Sequence, residues 1–150
     1  MTLMETVEAF FAEDEWPTTP VEGETALRSR FSSEHGQWSC FTRVYETEQR
    51  VLFYSIGPIN APEAKRLAIA ETLTRANYGL LIGNFELDFS DGEIRYKTAL
   101  DAEGTTLTTL AIKNLAYANV LTMNRYLPAI MTVLYGDVAP AEAIAKVESA

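Results

Sequence analysis

The chain is poor in the residues that most site chemistries need. Its 150 residues include one cysteine, Cys40, and one histidine, His35. A single thiol cannot close an internal disulfide, which is consistent with a reducing cytoplasm. One His and one Cys cannot build a Cys/His zinc site, so only carboxylates remain as candidate metal ligands. Nucleophilic centres of the Ser-His-Asp or Cys-His type need an imidazole beside the nucleophile. His35 falls in a turn between two predicted strands, with no partner near it in sequence, and reads as a solvated turn residue. Cys40 lies mid-strand and reads as a small packed hydrophobe. No catalytic residue, metal ligand or cofactor site is assigned on these grounds.

Positive charge is also scarce. Twelve Lys and Arg stand against twenty-one Asp and Glu, a formal charge of −9 with pI near 4.6. Such a field repels phosphate backbones and anionic lipid, so neither nucleic acid nor membrane is an expected partner. A local basic stripe able to reverse that expectation has only Arg28, Arg30 and Arg43 as candidates. No run approaches the ~20 apolar residues needed to span a bilayer, and the N-terminus lacks a basic leader region. The 47% hydrophobic and 22% charged fractions are those of a globular chain, and the length suits one domain over residues 1–150.

Leu3, Met4, Val7, Phe10 and Phe11 recur at helical spacing and predict an acidic amphipathic helix, stopped by Pro17-Thr18-Thr19-Pro20. Residues 25–32, 37–46 and 50–56 are rich in aromatic and β-branched side chains and read as a three-stranded meander. In the first strand Arg28 and Arg30 point one way, Leu27 and Phe31 the other, as expected if one face is wet. Asn60-Ala61-Pro62-Glu63 resembles a helix entrance with Asn60 as N-cap. Gly79 suits the left-handed exit of that helix, predicted over 61–78.

Asp91-Gly92 predicts a two-residue type I′ hairpin, which would set Asp88 against Arg95, Glu86 against Lys97 and Phe85 against Thr98. A long helix is predicted over 107–134, with Ile112, Leu115, Ala116, Met123, Tyr126, Leu127, Ile130 and Val133 in one arc. Asn119 lies within that arc, and Pro128 should kink or break the helix. A short helix, Pro140 to Val147, follows. The predicted order is α-β-β-β-α-β-β-α plus this small helix: an α+β fold with an antiparallel five-stranded sheet and helices packed on it.

The polar stretch from Thr74 to Thr98 invites functional readings, and most fail on spacing. Laid on a calcium loop, the Asp91-Gly92 segment places Leu87, Phe89 and Thr98 where ligands must stand. Gly79-x-x-x-Gly83 has no following Lys-Ser/Thr and leads from helix into strand, the wrong order for a phosphate loop. Glu86 and Asp88 read as surface partners of Lys97 and Arg95. Asn119 is expected to satisfy backbone groups of a strand end or loop. Trp16, Trp38, Tyr45 and Tyr54 fit core, groove or interface equally. Gly83-Asn84 reads as a bulge or a close approach to another backbone.

The segments "TRANYGL" (74–80), "GNFELDFSDGEIRYKT" (83–98) and "NRYLP" (124–128) resemble the cyanobacterial branch of the YbjN-domain family, whose fold is similar to type III secretion chaperones. The resemblance spans roughly Trp16 to Tyr135. It implies a homodimer that binds or regulates another, unidentified protein rather than catalysing a reaction, and it brings no active-site residues. A chaperone-like domain would offer an apolar groove or a sheet edge to an extended segment. The alternative is a small-molecule-binding domain or a carboxylate-based enzyme, with Asn77, Tyr78 and Asn84 near a pocket at the corner between the second predicted helix and the fourth predicted strand.

Overall fold

A computed structural model describes all residues, Met1–Ala150. Helix α1 (Leu3–Glu13) is opened by a capping box, in which the Thr2 hydroxyl accepts from the Glu5 amide and the Glu5 carboxylate accepts from the Thr2 amide. It buries Leu3, Val7, Phe10 and Phe11, the stripe expected from the spacing. The helix ends before the proline segment, because the chain turns at Glu15, whose φ is +54°. Pro17-Thr18-Thr19-Pro20 is more than a linker: Thr19–Pro20 forms a short strand, β1.

Strands β2 (Ala26–Ser33), β3 (Gly36–Tyr45) and β4 (Arg50–Ile56) form the meander. After a 3-10 turn (Glu63–Lys65) come α2 (Arg66–Asn77), β5 (Asn84–Leu87), β6 (Ile94–Asp101), α3 (Thr109–Tyr135) and α4 (Pro140–Glu148). The sheet is antiparallel throughout and has six strands in the order β1-β2-β3-β4-β6-β5, one more than the five expected. The sixth was hidden because its two residues include a proline, which can pair only at an edge.

Burial alternates strictly along β3 and β4 and over most of β6. One face of the sheet therefore carries Trp38, Cys40, Val44, Val51, Phe53, Ile94 and Tyr96 into the core, and α3 lies on β4 and β6 there, with α1, α2 and α4 packed around it. Helix α3 continues through Pro128 instead of breaking. Leu127, Ala129 and Ile130 are all buried around the proline, so packing offsets the missing amide bond.

Local signals were overridden at three places in the α2–β6 segment. Asn60 does not cap a helix: its Nδ2 donates to the Asp91 carbonyl at 3.3 Å, and the 3-10 turn starts after Pro62. Gly79 does not have a positive φ, and the residue capping α2 is Tyr78 in ordinary right-handed geometry. The β5–β6 register is offset by two residues from the I′ expectation, pairing Leu87 with Ile94, Glu86 with Arg95 and Phe85 with Tyr96. A four-residue turn replaces the two-residue one, closed by the Asp88 amide on the Glu93 carbonyl, and only Gly92 has a positive φ (+82°).

The cause of the longer turn is tertiary. The Ala61 amide donates to the Gly92 carbonyl at 2.8 Å, and the Arg66 guanidinium joins the Ala61 and Phe89 carbonyls, so the turn is seated on the entrance to α2. Because the offset is two residues, each side chain keeps its predicted face.

Two glycines separate these readings. A Cβ at Gly92 would lie 2.0 Å from the Ala61 carbonyl oxygen, whereas one at Gly79 meets open space. Gly92→Ala is expected to lower stability by about 2–4 kcal/mol in urea unfolding, from strain plus overpacking. Gly79→Ala should be neutral or stabilising by up to about 1 kcal/mol. A costly Gly79→Ala would restore the left-handed helix exit.

Candidate functional site

Helices cover one face of the sheet, and the other is bare. Residues alternating with the core set project from it: Arg28 and Arg30 on β2, Phe41, Arg43 and Tyr45 on β3, Arg50, Leu52, Tyr54 and Ile56 on β4, and Arg95 and Lys97 on β6. Six of the twelve cationic residues of the chain are here. Carboxylates on or beside the face nearly match them: Glu86 meets Arg95 at 2.7 Å and Lys97 at 3.1 Å, Glu24 meets Arg43 at 3.1 Å, Asp101 lies 3.9 Å from Arg50, and Glu48 borders the cleft of Arg50, Leu52 and Lys97. Glu93 completes a cleft of about 420 Å³ with Phe41, Tyr54, Ile56 and Arg95. The acidity of the chain is thus concentrated elsewhere.

The rings on this face are sheathed by guanidinium groups. Arg28 stacks on Phe41 at 5.0 Å from the ring centroid, and Arg95 on Tyr54 at 4.5 Å. Arg30 is steadied by Ser39 Oγ and Gln37 Oε1, each at 3.4 Å. Of the stripe candidates, Arg28 and Arg30 have no carboxylate partner, and Arg43 is paired.

Both sheet edges are partly covered, which leaves little edge for strand pairing. At one side the Trp16 indole donates to the Arg30 carbonyl at 2.8 Å, continuing the line of the short strand β1. At the other side the Asn77 side chain accepts from the Phe85 amide at 2.6 Å and donates to its carbonyl at 3.1 Å, so one amide side chain replaces a neighbouring strand.

The remaining candidates divide between core and surface. Asn119 is fully buried; its two Nδ2 hydrogens serve the carbonyls of Phe53 (2.9 Å) and Tyr96 (3.0 Å), with Thr98 Oγ1 (3.3 Å) sharing one of them, and its Oδ1 is buried without a hydrogen-bond partner. It joins α3 to the backbone of two adjacent strands, the kind of role its position implied. Trp38 is 2% exposed and donates to Ser55 Oγ, so it belongs to the core, and half-buried Trp16 packs against the core within a cluster including Phe11, Phe31 and Tyr117. Tyr45 and Tyr54 belong to the bare face. Cys40 is fully buried, and burial pushes its thiol up to about 12. His35 is exposed beside Glu34.

Asn77, Tyr78 and Asn84, proposed above for a ligand pocket, are put to separate uses. Asn77 clasps β5, Tyr78 is 96% exposed on a cleft between α2 and α4, and Asn84 donates to the Phe85 carbonyl. Gly83 meets the close approach expected of it: at φ +78°, a Cβ there would lie 2.6 Å from the Lys97 carbonyl oxygen. Sequence reasoning missed Phe41 and Leu52 as surface-row members, because only the register shows which aromatics and aliphatics share a face with the arginines.

Carboxyl groups with displaced pKa values are displaced downward, the opposite of what a general acid needs. At Glu86, burial favours the neutral acid, but hydrogen bonds from Arg95 and Lys97 outweigh it and hold the group below its usual 4.5. A depressed carboxylate contributes stability that is present above its unfolded value and lost as pH falls through the folded one. Glu86→Gln is therefore expected to cost about 1 kcal/mol or less at pH 7, with the gap to wild type narrowing below pH 4.5 in urea unfolding. A gap independent of pH would show that the Arg95 and Lys97 contacts do not depend on the Glu86 charge.

Comparisons with known proteins follow the fold. The model of the YbjN family, described as "Putative bacterial sensory transduction regulator", matches residues 4–130. YbjN from E. coli, whose structure is described as that of "a putative transcription regulator", superposes with a TM-score of 0.63 at 12% identity, covering 89% of this chain and 90% of its own. The HopA1-SchA chaperone-effector complex contains a chain that superposes at 0.52 with 14% identity, covering 81% and 88% respectively. At these identities the likeness is one of fold. No curated protein matches the sequence. No helix is long and apolar enough to cross a membrane.

Proposed function

The chain belongs to the YbjN family, and from that premise we propose that it is a non-enzymatic interaction or regulatory domain that holds another polypeptide on the bare face of its sheet. One observation carries the reading: a face uncovered by helices gathers half of the chain's cations around half-buried Phe41, Leu52, Tyr54 and Ile56. Aromatic residues interleaved with arginine are the composition that protein interfaces favour. The partly covered edges favour binding on the face over strand addition. The fold shared with a chaperone of a chaperone-effector complex supports a chaperone-like role by analogy.

The same reading takes residues 1–150 as one working unit, cytoplasmic and homodimeric, of the cyanobacterial type suggested by "TRANYGL" and "NRYLP". An enzyme using carboxylates is disfavoured by the downward pKa shifts, and a nucleic-acid role by the overall charge.

The test is cross-linked affinity capture from the native extract with the full chain, read by mass spectrometry. Beside the wild type, a variant combining Arg28→Ser with Tyr54→Ser is used, since neither side chain is in the core. Truncating Trp38 instead would open a core cavity and confound the result. Reproducible partners recovered by the wild type and lost in the variant are expected, with the variant still folded and its unfolding midpoint lowered only modestly by the lost ring stacks. Equal recovery by both proteins, or retention of a metabolite with no protein partner, would contradict the proposal.

A further inference from the structure

The register of the sheet gives the bare face a definite chemical order. Arg28, Phe41, Tyr54 and Lys97 are successive cross-strand partners on β2, β3, β4 and β6 and form one straight row. With strands spaced about 4.8 Å apart, the row runs about 14 Å and reads cation, ring, ring, cation. A second row, Arg43, Leu52 and Ala99, lies alongside it.

Charge is not balanced evenly along this surface. Toward β6, Glu86 already engages Arg95 and Lys97. Toward β2, Arg28 is laid on Phe41 and Arg30 is held by Ser39 and Gln37, and no carboxylate meets either. A guanidinium stacked on a ring still presents its N–H edge outward, and its fixed plane reduces the entropy lost when it grips a carboxylate. In a chain with nearly twice as many acidic as basic residues, two ordered guanidinium groups have been left without an internal partner.

We propose that this face binds an acidic polypeptide segment in which one or two aromatic or aliphatic residues are flanked by carboxylates, laid across the strands. The apolar residues rest on the Phe41–Tyr54 pair. A carboxylate on one side is taken by Arg28 and Arg30, and one on the other side shares Lys97 with Glu86, which keeps Arg95. The proposal rests on the interaction reading above and adds to it the chemistry of the partner. Nucleic acid fits less well: a backbone crossing the face would meet Glu24, Glu86 and Glu93 as well as the cations, within a field of −9. A second copy fits less well: its four helices carry six carboxylates against five cations and so offer no strongly acidic surface to Arg28 and Arg30.

The probe is a fluorescent hexapeptide with two adjacent aromatic residues between pairs of acidic ones, titrated against the full chain by anisotropy. The controls are the same peptide with lysines for the acids, and oligouridylate. The acidic peptide is expected to bind at least about ten-fold tighter than the lysine peptide and to weaken as salt rises. Replacing Arg28 and Arg30 together by Ser should weaken it by about ten-fold or more, with the thermal midpoint unchanged. Equal binding of both peptides, affinity indifferent to the double substitution, a preference for oligouridylate, or self-association that the Arg28 and Arg30 double substitution abolishes and the acidic peptide cannot displace would each overturn the proposal. If the peptide fails while cellular partners still depend on Arg28 and Tyr54, the partner chemistry falls and the interaction reading stands. If the peptide binds but no cellular partner depends on the face, the reverse holds.

Discussion

The side chain of Asn119 is the contact on which the arrangement of this molecule turns. A buried amide from the middle of α3 donates to the Phe53 and Tyr96 carbonyls and to the Thr98 hydroxyl, and Thr98 in turn donates to the Leu115 carbonyl at 3.0 Å. Hydrophobic burial alone would let a 27-residue helix slide or roll on a sheet with little penalty. Directional bonds to two strands oppose this, because a misplaced helix would lose them and leave the Asn119 Nδ2 unpaired as its Oδ1 already is, at about 1–3 kcal/mol per group. With α3 fixed, Ile112, Ala116, Met123 and Leu127 face inward, and α1, α2 and α4 pack around it on the same side. The second sheet face is left bare as a consequence of where the helices must be.

That bare face is also where the net acidity of the chain falls away, since its six cations nearly balance the carboxylates on and around it. A net charge of −9 describes the molecule as a whole, yet its cations are gathered where no helix packs. Some are neutralised locally, as Arg95 and Lys97 are by Glu86. Arg28 and Arg30 are ordered by a ring and by neutral side chains instead. Trp16 at one edge and Asn77 at the other cover part of the backbone that a further strand would pair with. The chain belongs to the YbjN family and shares its fold with a chain of the HopA1-SchA chaperone-effector complex, a likeness of fold that names no partner.

Much of this was legible in the sequence wherever periodicity carried the information. The α1 stripe, the meander with its boundaries within a residue or so, the α3 arc and the position of Asn119 inside it all follow from spacing. What was illegible depended on contacts distant in sequence. Asp91-Gly92 carries a strong two-residue turn signal, but the seat on Ala61, thirty-one residues away from Gly92, selects a wider turn. Asn60 resembles an N-cap and is used to hold that same turn. For the surface, Arg28 and Arg30 could be singled out as a stripe. Their relation to Phe41, Tyr54 and Lys97 required the register, and Trp38 could not be told from a surface aromatic until its partner Ser55 was placed.

The claim that the bare face is the working surface is most directly tested by backbone NMR of the full chain titrated with a partner recovered from the native extract. Amide shifts concentrated at Arg28, Phe41, Tyr54 and Lys97 and their row neighbours, with α2 and α4 unmoved, are the predicted result. Shifts confined to the cleft between α2 and α4 around Tyr78 and Ile144 would contradict it.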